Sequence, residues 1–221
     1  LVVGDEGLKV EGGADPMVLL APGARWRIEE EGQHHSAYGE LDLDALGGTA
    51  VLELRYGTEN LRASAIAEPQ RREQNAKFWS AWAGSLRLPP HASRLVVRSA
   101  LVLKALCFGP TGAIAAAATT SLPEHVGGCR NWDYRFCWPR DAAMSATALL
   151  RLGNTGHAIR LADWLMGIVD RLDSPERLRP IYTVGGHHLG PEANLSELPG
   201  YADSRPVRVS NAAAQQVQLD V

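Results

Sequence analysis

The sequence predicts an α+β chain in two parts, the end of an antiparallel β-sandwich followed by the opening helices of a larger all-α domain. Three observations predict it. Up to Ile66 apolar residues alternate with polar ones between glycine-rich breaks, and from Glu68 the apolar period lengthens to three and four. The later helices are apolar on more than one face, which a lone four-helix unit would leave uncovered. The predicted segments are 1–67 (sandwich portion), 68–91 (connecting helix and linker) and 92–221 (N-terminal part of the helical domain).

In the first part, Trp26 and Ile28, Leu41 and Leu43, and Ala50, Leu52, Leu54 and Tyr56 carry the period of two. Breaks at Gly12-Gly13, Gly23, Gly39 and Gly47-Gly48 set hairpin-like spacing. Glu68 to Trp82 is a polar helix with one aromatic patch, Phe78, Trp79 and Trp82. Pro89-Pro90 opens a helix over Ala92–Phe108 whose few charges, Arg94, Arg98 and Lys104, share one stripe; it should be largely buried, and Gly109-Pro110 stops it. Further helices are expected over Asp141–Gly153 and from a Thr155 cap to Arg171, and a last one from near Pro206. That last helix would place Arg208, Asn211, Gln215 and Gln218 on one face, where amides usually bond backbone or water rather than a ligand.

With 45% hydrophobic and 21% charged residues the chain can bury a core, and a net charge of −3 gives no long-range attraction for nucleic acid or an anionic membrane. No apolar run is long enough to span a bilayer. Cys107, Cys129 and Cys137 lack C-x-x-C spacing and are odd in number, which fits free thiols in a reducing, cytoplasmic compartment better than a zinc site or a disulfide scaffold. The pairs His34-His35 and His187-His188 lack the helical spacing of metal ligands, so no metal and no cofactor are implied.

About thirty residues, Gly109 to Arg140, separate two helices without regular pattern, and loops that long in a compact domain are usually functional or disordered. Trp132, Tyr134, Phe136 and Trp138 argue against disorder. In NWDYRFCWPRD, Asn131 to Asp141, aromatic rings alternate with arginines and aspartates. A pyranose offers an apolar C–H face, which an aromatic ring covers, and adjacent hydroxyls, which a carboxylate or guanidinium can bond in pairs. The competing reading is a packed core with weak surface ion pairs.

Leu103 to Ala142, with W-D-Y-R (Trp132 to Arg135) followed by W-x-R-D (Trp138 to Asp141), and SRPVRVSNAAAQQVQLDV, Ser204 to Val221, resemble blocks of glycoside hydrolase family 15, the glucoamylase-like enzymes, over roughly Arg98 to Val221. The resemblance implies that the helices open an (α/α)₆ toroid and that the chain is truncated at both ends. It also implies that Arg140 and Asp141 bond hydroxyls of a terminal glucose, that Tyr134 and Trp138 line its pocket, and that Arg205 lies near the cleft. Phe136, Pro139 and Asp203 depart from the usual pattern; Asp203 stands where the glucoamylase branch carries a cleft Trp. Family enzymes invert with a general acid and a general base glutamate held apart to admit water. In relatives both lie downstream of the part matched here, so no catalytic residue is expected in this chain, and Glu192 and Glu197 are not the pair.

The expectation is thus part of an inverting, exo-acting α-glucoside hydrolase of glucoamylase type, acting on an α-linked glucose oligosaccharide. The alternatives are an α,α-trehalase of the same family, with trehalose as substrate, and a non-catalytic sugar-binding or structural protein.

Overall fold

The computed structural model describes residues 1–4, 6–10, 15–31, 34–62 and 64–216. The chain divides into two compact units, Leu1–Phe78 and Trp79–Val221.

The first unit is antiparallel β, as the period of two requires. Strands β1 (Val2–Gly4), β2 (Gly7–Val10), β3 (Met17–Leu20) and β6 (Glu53–Tyr56) form one sheet in the order β1-β2-β3-β6. Val18 and Leu20 are buried on one face, opposite Arg55 and Glu53 across the β3–β6 register. Strands β4 (Arg25–Glu31) and β5 (His34–Glu40) form a separate hairpin in which Trp26 faces Gly39. A Cβ on Gly39 would stand 2.8 Å from the Trp26 ring, so the ring fills the space glycine leaves. The alternation misled in two places. Leu41 and Leu43 belong to an irregular segment and a turn, because the Asp42 carboxylate accepts the Ala45 N–H at 3.0 Å and folds the chain back. Only Glu53–Tyr56 of the 50–56 stretch pairs as a strand, and Leu54 and Tyr56 are each 69% exposed.

Helix α1 (Glu68–Gly84) buries none of its residues. Helices α2 (Ser93–Ala105), α3 (Pro139–Arg151) and α4 (Thr155–Val169) follow. On α4, His157, Leu161, Trp164 and Ile168 recur at four, three and four and are buried, the last three in one core cluster with Ala142 and Ala146 of α3. The expected burial of α2 is not found: Ala100 alone is buried, while Leu95 is 70% and Val102 55% exposed. Periodicity marks which residues are apolar, and says nothing of what covers them. Thr155 is also not a cap. Asn154 holds that position and accepts a hydrogen bond from His157 Nδ1 at 2.6 Å.

The helix expected from Pro206 does not form. Val207–Val209 is strand β8, antiparallel to β7 (Ala193–Leu195), and a short 3₁₀ turn, Ala212–Gln215, follows. Side chains outside the segment hold its backbone: Arg208 N–H donates to Ser121 Oγ at 2.7 Å, and Arg208 C=O accepts from Thr120 Oγ1 at 2.8 Å. Asn211 Oδ1 then accepts the Ala213 N–H at 2.9 Å and caps the turn. Gln218, assigned to the same helix face, lies outside the described residues.

Candidate sugar-binding site

The loop between α2 and α3 is pinned at three places. Isolated antiparallel bridges join Cys107 to Ile114, Thr120 to Asp133 and Cys137 to Tyr182. Within it Asp133 is fully buried. Arg135 binds it in a fork, Nε to Oδ1 at 2.9 Å and Nη2 to Oδ2 at 2.8 Å, and Ser210 N–H donates to Oδ2 at 3.1 Å. Asn131, also wholly buried, donates its amide to the carbonyls of Gly128, Ser204 and Pro206 at 3.1–3.2 Å. These bonds fasten the aromatic loop to the 204–211 segment, so parts of the two sequence blocks that carry the family resemblance are joined.

Pro139 at the first position of α3 supplies a preset φ and needs no donor there. Trp138 is the N-cap residue, which places Arg140 and Asp141 in the first turn with their side chains directed to a cavity of about 610 Å³. Tyr134, Trp138, Arg140 and Asp141 all line this cavity. The Tyr134 and Trp138 rings lie 5.7 Å apart at 53°, an angled apolar wall. Arg140 Nη2 reaches Asp141 Oδ2 at 3.2 Å and is Asp141's hydrogen-bond partner among the described residues, which leaves most of the carboxylate's accepting capacity unused there. Burial, reinforced by Glu124 and Asp141 against the opposing Arg130, pushes the Tyr134 hydroxyl above its ordinary range and keeps it a neutral donor.

Arg205 is not brought to the cavity. It is exposed, and its Nη1 donates to the Ser196 carbonyl at 2.7 Å, which draws the side chain along the 196–205 loop instead. The cavity also includes Arg130, Trp132, Asn211 and Gln216, none of them a predicted site residue. Trp132 was visible in the motif, and Asn211 in the row of amides; Arg130 and Gln216 gave no periodic signal. Glu192 is spent on structure, accepting the Ala212 N–H at 3.0 Å and facing Arg208 Nε at 3.4 Å.

Among the described residues no group of three or more His, Cys, Asp or Glu is placed to hold a metal ion, and no helix is long and apolar enough to cross a membrane. The three cysteines are free thiols; Cys137 is buried and Cys129 exposed.

The family model for glycosyl hydrolases family 15 matches residues 90–221, and the model for a trehalase-like N-terminal domain matches residues 1–79. Trehalase 1 of Sulfolobus acidocaldarius is 49% identical over 120 residues, 54% of this chain and 21% of that protein. The trehalase of Thermoplasma volcanium is 35% identical over 184 residues, 83% of this chain and 29% of that protein. That of Mycobacterium tuberculosis is 42% identical over 153 residues, 67% of this chain and 22% of that protein. The chain thus spans about a fifth to a third of the length of the curated relatives it matches. No solved structure matches it. Two tied sequence blocks, an aromatic and Arg–Asp-lined cavity, and a family match over 132 residues lead to one conclusion: the chain belongs to glycosyl hydrolases family 15.

Proposed function

We propose that this chain is the sugar-holding part of an inverting α,α-trehalase, and that it binds one glucose ring of trehalose in the 610 Å³ cavity. The observation that carries the reading is the convergence of Tyr134, Trp138, Arg140 and Asp141 on that cavity. Tyr134 and Trp138 cover the C–H face, while Asp141 accepts from adjacent hydroxyls and Arg140 fixes its direction. The choice of trehalase over glucoamylase rests on the relatives, each named a trehalase, and on the match of residues 1–79 to a trehalase-like N-terminal domain.

In this reading residues 1–67 complete a β-sandwich, residues 68–91 connect it, and residues 92–221 open an (α/α)₆ toroid whose further helices cover α2 and Met144 of α3. The chain contributes binding and orientation, and the glutamate acid and base belong to the rest of the protein. Bonds that tighten as the ring flattens toward an oxocarbenium-like transition state make such binding catalytic.

The full-length protein tests this. Release of glucose from α,α-trehalose well above that from maltose supports the proposal; a preference for maltose returns the reading to glucoamylase; cleavage of neither contradicts both. Chain 1–221 alone is expected to release no glucose from either sugar.

A further inference from the structure

We propose that Glu124 sets the charge preference of the sugar cavity. Paired with Arg130, it leaves the cavity no spare cation, so an uncharged sugar is taken in preference to its phosphate ester. The inference rests on the sugar-site reading above and adds a residue that lies outside the aromatic motif.

The loop itself builds the pair. Ser121 N–H donates to the Trp132 carbonyl at 2.9 Å, beside the bridge of Thr120 to Asp133, and Glu124 N–H donates to the Arg130 carbonyl at 3.3 Å. Between Glu124 and Arg130 the chain reverses. Gly128 N–H donates to the His125 carbonyl at 2.8 Å, and Gly127 takes a φ of +81°, which a side chain would resist. Ser204 Oγ accepts the Gly127 N–H at 2.8 Å and ties this tip to the second sequence block. The reversal sets Arg130 Nε 3.0 Å from Glu124 Oε2.

Arg130 lines the cavity with Trp132, Tyr134, Trp138, Arg140 and Asp141, and its Nη groups have no partner among the described residues. Both guanidiniums on the cavity are matched by a carboxylate, Arg140 by Asp141 at 3.2 Å and Arg130 by Glu124. Behind burial, Glu124 raises and Arg130 lowers the pKa of the Tyr134 hydroxyl, as charges standing near it must. A guanidinium without a carboxylate takes a phosphate in a fork and is a strong anion ligand. With Glu124 in place that attraction is offset, and a phosphate would bring its charge toward two carboxylates, Glu124 and Asp141. A sugar hydroxyl carries no charge to be repelled, and it still accepts from the Arg130 Nη groups. The Arg130 and Glu124 side chains are 71% and 42% exposed, so the pair adds little to stability and its effect falls on the ligand.

The experiment titrates the full-length protein with glucose, glucose 6-phosphate and α-glucose 1-phosphate, read by tryptophan fluorescence. The wild type should bind glucose more tightly than either ester. Glu124→Gln keeps the side chain's shape and removes its charge. It should shift the affinity ratio about 3- to 10-fold toward at least one ester, and less at high salt. The double variant with Arg130→Ala should lose the shift, and the Tm of Glu124→Gln should stay within about 2 °C of wild type. A ratio unmoved for both esters in Glu124→Gln overturns the proposal, whether or not Tm falls, as does a shift that survives Arg130→Ala. Glucose binding without trehalose cleavage would refute the trehalase reading alone and leave this test intact. A wild type that binds none of the three removes the sugar site and the proposal with it.

Discussion

The Arg208 guanidinium lies 4.5 Å over the Trp132 ring and donates through Nη1 to the carbonyls of Cys129 and Asn131, at 2.9 and 3.2 Å. One side chain on β8 thereby clamps the start of the motif that ends in Arg140 and Asp141. The clamp explains why residues 207–209 are extended: a helix there would carry Arg208 away from both carbonyls and from the hydroxyls of Thr120 and Ser121.

Arg208→Lys keeps the charge and loses the planar stack and the second carbonyl bond. It is expected to cost about 1–3 kcal/mol, and thermal unfolding should show a Tm lower by roughly 3–10 °C. An unshifted Tm would mean that the loop is held without this clamp.

Asp133→Asn removes a buried carboxylate's fork with Arg135 and weakens its bond from the Ser210 N–H. The Arg135 head is half exposed and can be rehydrated, so the loss should stay near 2–3 kcal/mol, below that of a fully buried pair. Arg135→Ala should cost a comparable amount, and the double variant should cost clearly less than the sum, read by denaturant unfolding. Additive losses would show that the two do not act as one unit.

His157 is buried between Lys104 Nζ at 2.9 Å and Arg160 Nη2 at 3.4 Å from Nε2, with Nδ1 on Asn154 Oδ1. Burial first, then the two cations, lowers its pKa from 6.5 to about 4, so the neutral ring is the native form. Because the folded value lies below the unfolded one, its contribution is complete above about pH 6.5 and is lost as pH falls toward 4. The Tm of the wild type should therefore drop more steeply over that window than the Tm of His157→Ala, which starts lower at pH 7. Parallel slopes would contradict the assignment.

The thiols should separate by accessibility. Cys137 is wholly buried and its pKa is pushed up to about 11 by burial, whereas Cys129 is exposed. Alkylation of the native protein should label Cys129 first and spare Cys137 until unfolding; early labelling of Cys137 would show that the bridge to Tyr182 opens.

The helical pairing of α3 and α4 was legible because Ala142, Ala146, Leu161, Trp164 and Ile168 repeat at core spacing. The cavity was legible because four of its residues sit within eight positions, Tyr134 to Asp141. What failed depends on distant partners. Strand β8 takes its shape from Ser121, Thr120 and Asn131, some eighty residues away in the chain. The exposure of Leu95 and Val102 has the same origin, since an apolar stripe does not name its cover. Glu124 and Arg130 lie in an irregular segment with no period to mark them.

The central claim is that Asp141 is a sugar ligand. Trp138, not Asp141, occupies the N-cap, and the Asp141 carboxylate bonds Arg140 rather than a backbone N–H, so an Asn at this position should hardly disturb the helix. Two charge-assisted bonds to hydroxyls are worth about 3–6 kcal/mol together, or roughly 10²–10⁴ in rate. The decisive measurement is kcat/KM on trehalose together with Tm for Asp141→Asn in the full-length protein. The account predicts a loss of about 10²–10⁴ in kcat/KM, with kcat reduced and Tm close to wild type. Near-normal turnover by a folded Asp141→Asn enzyme would contradict it.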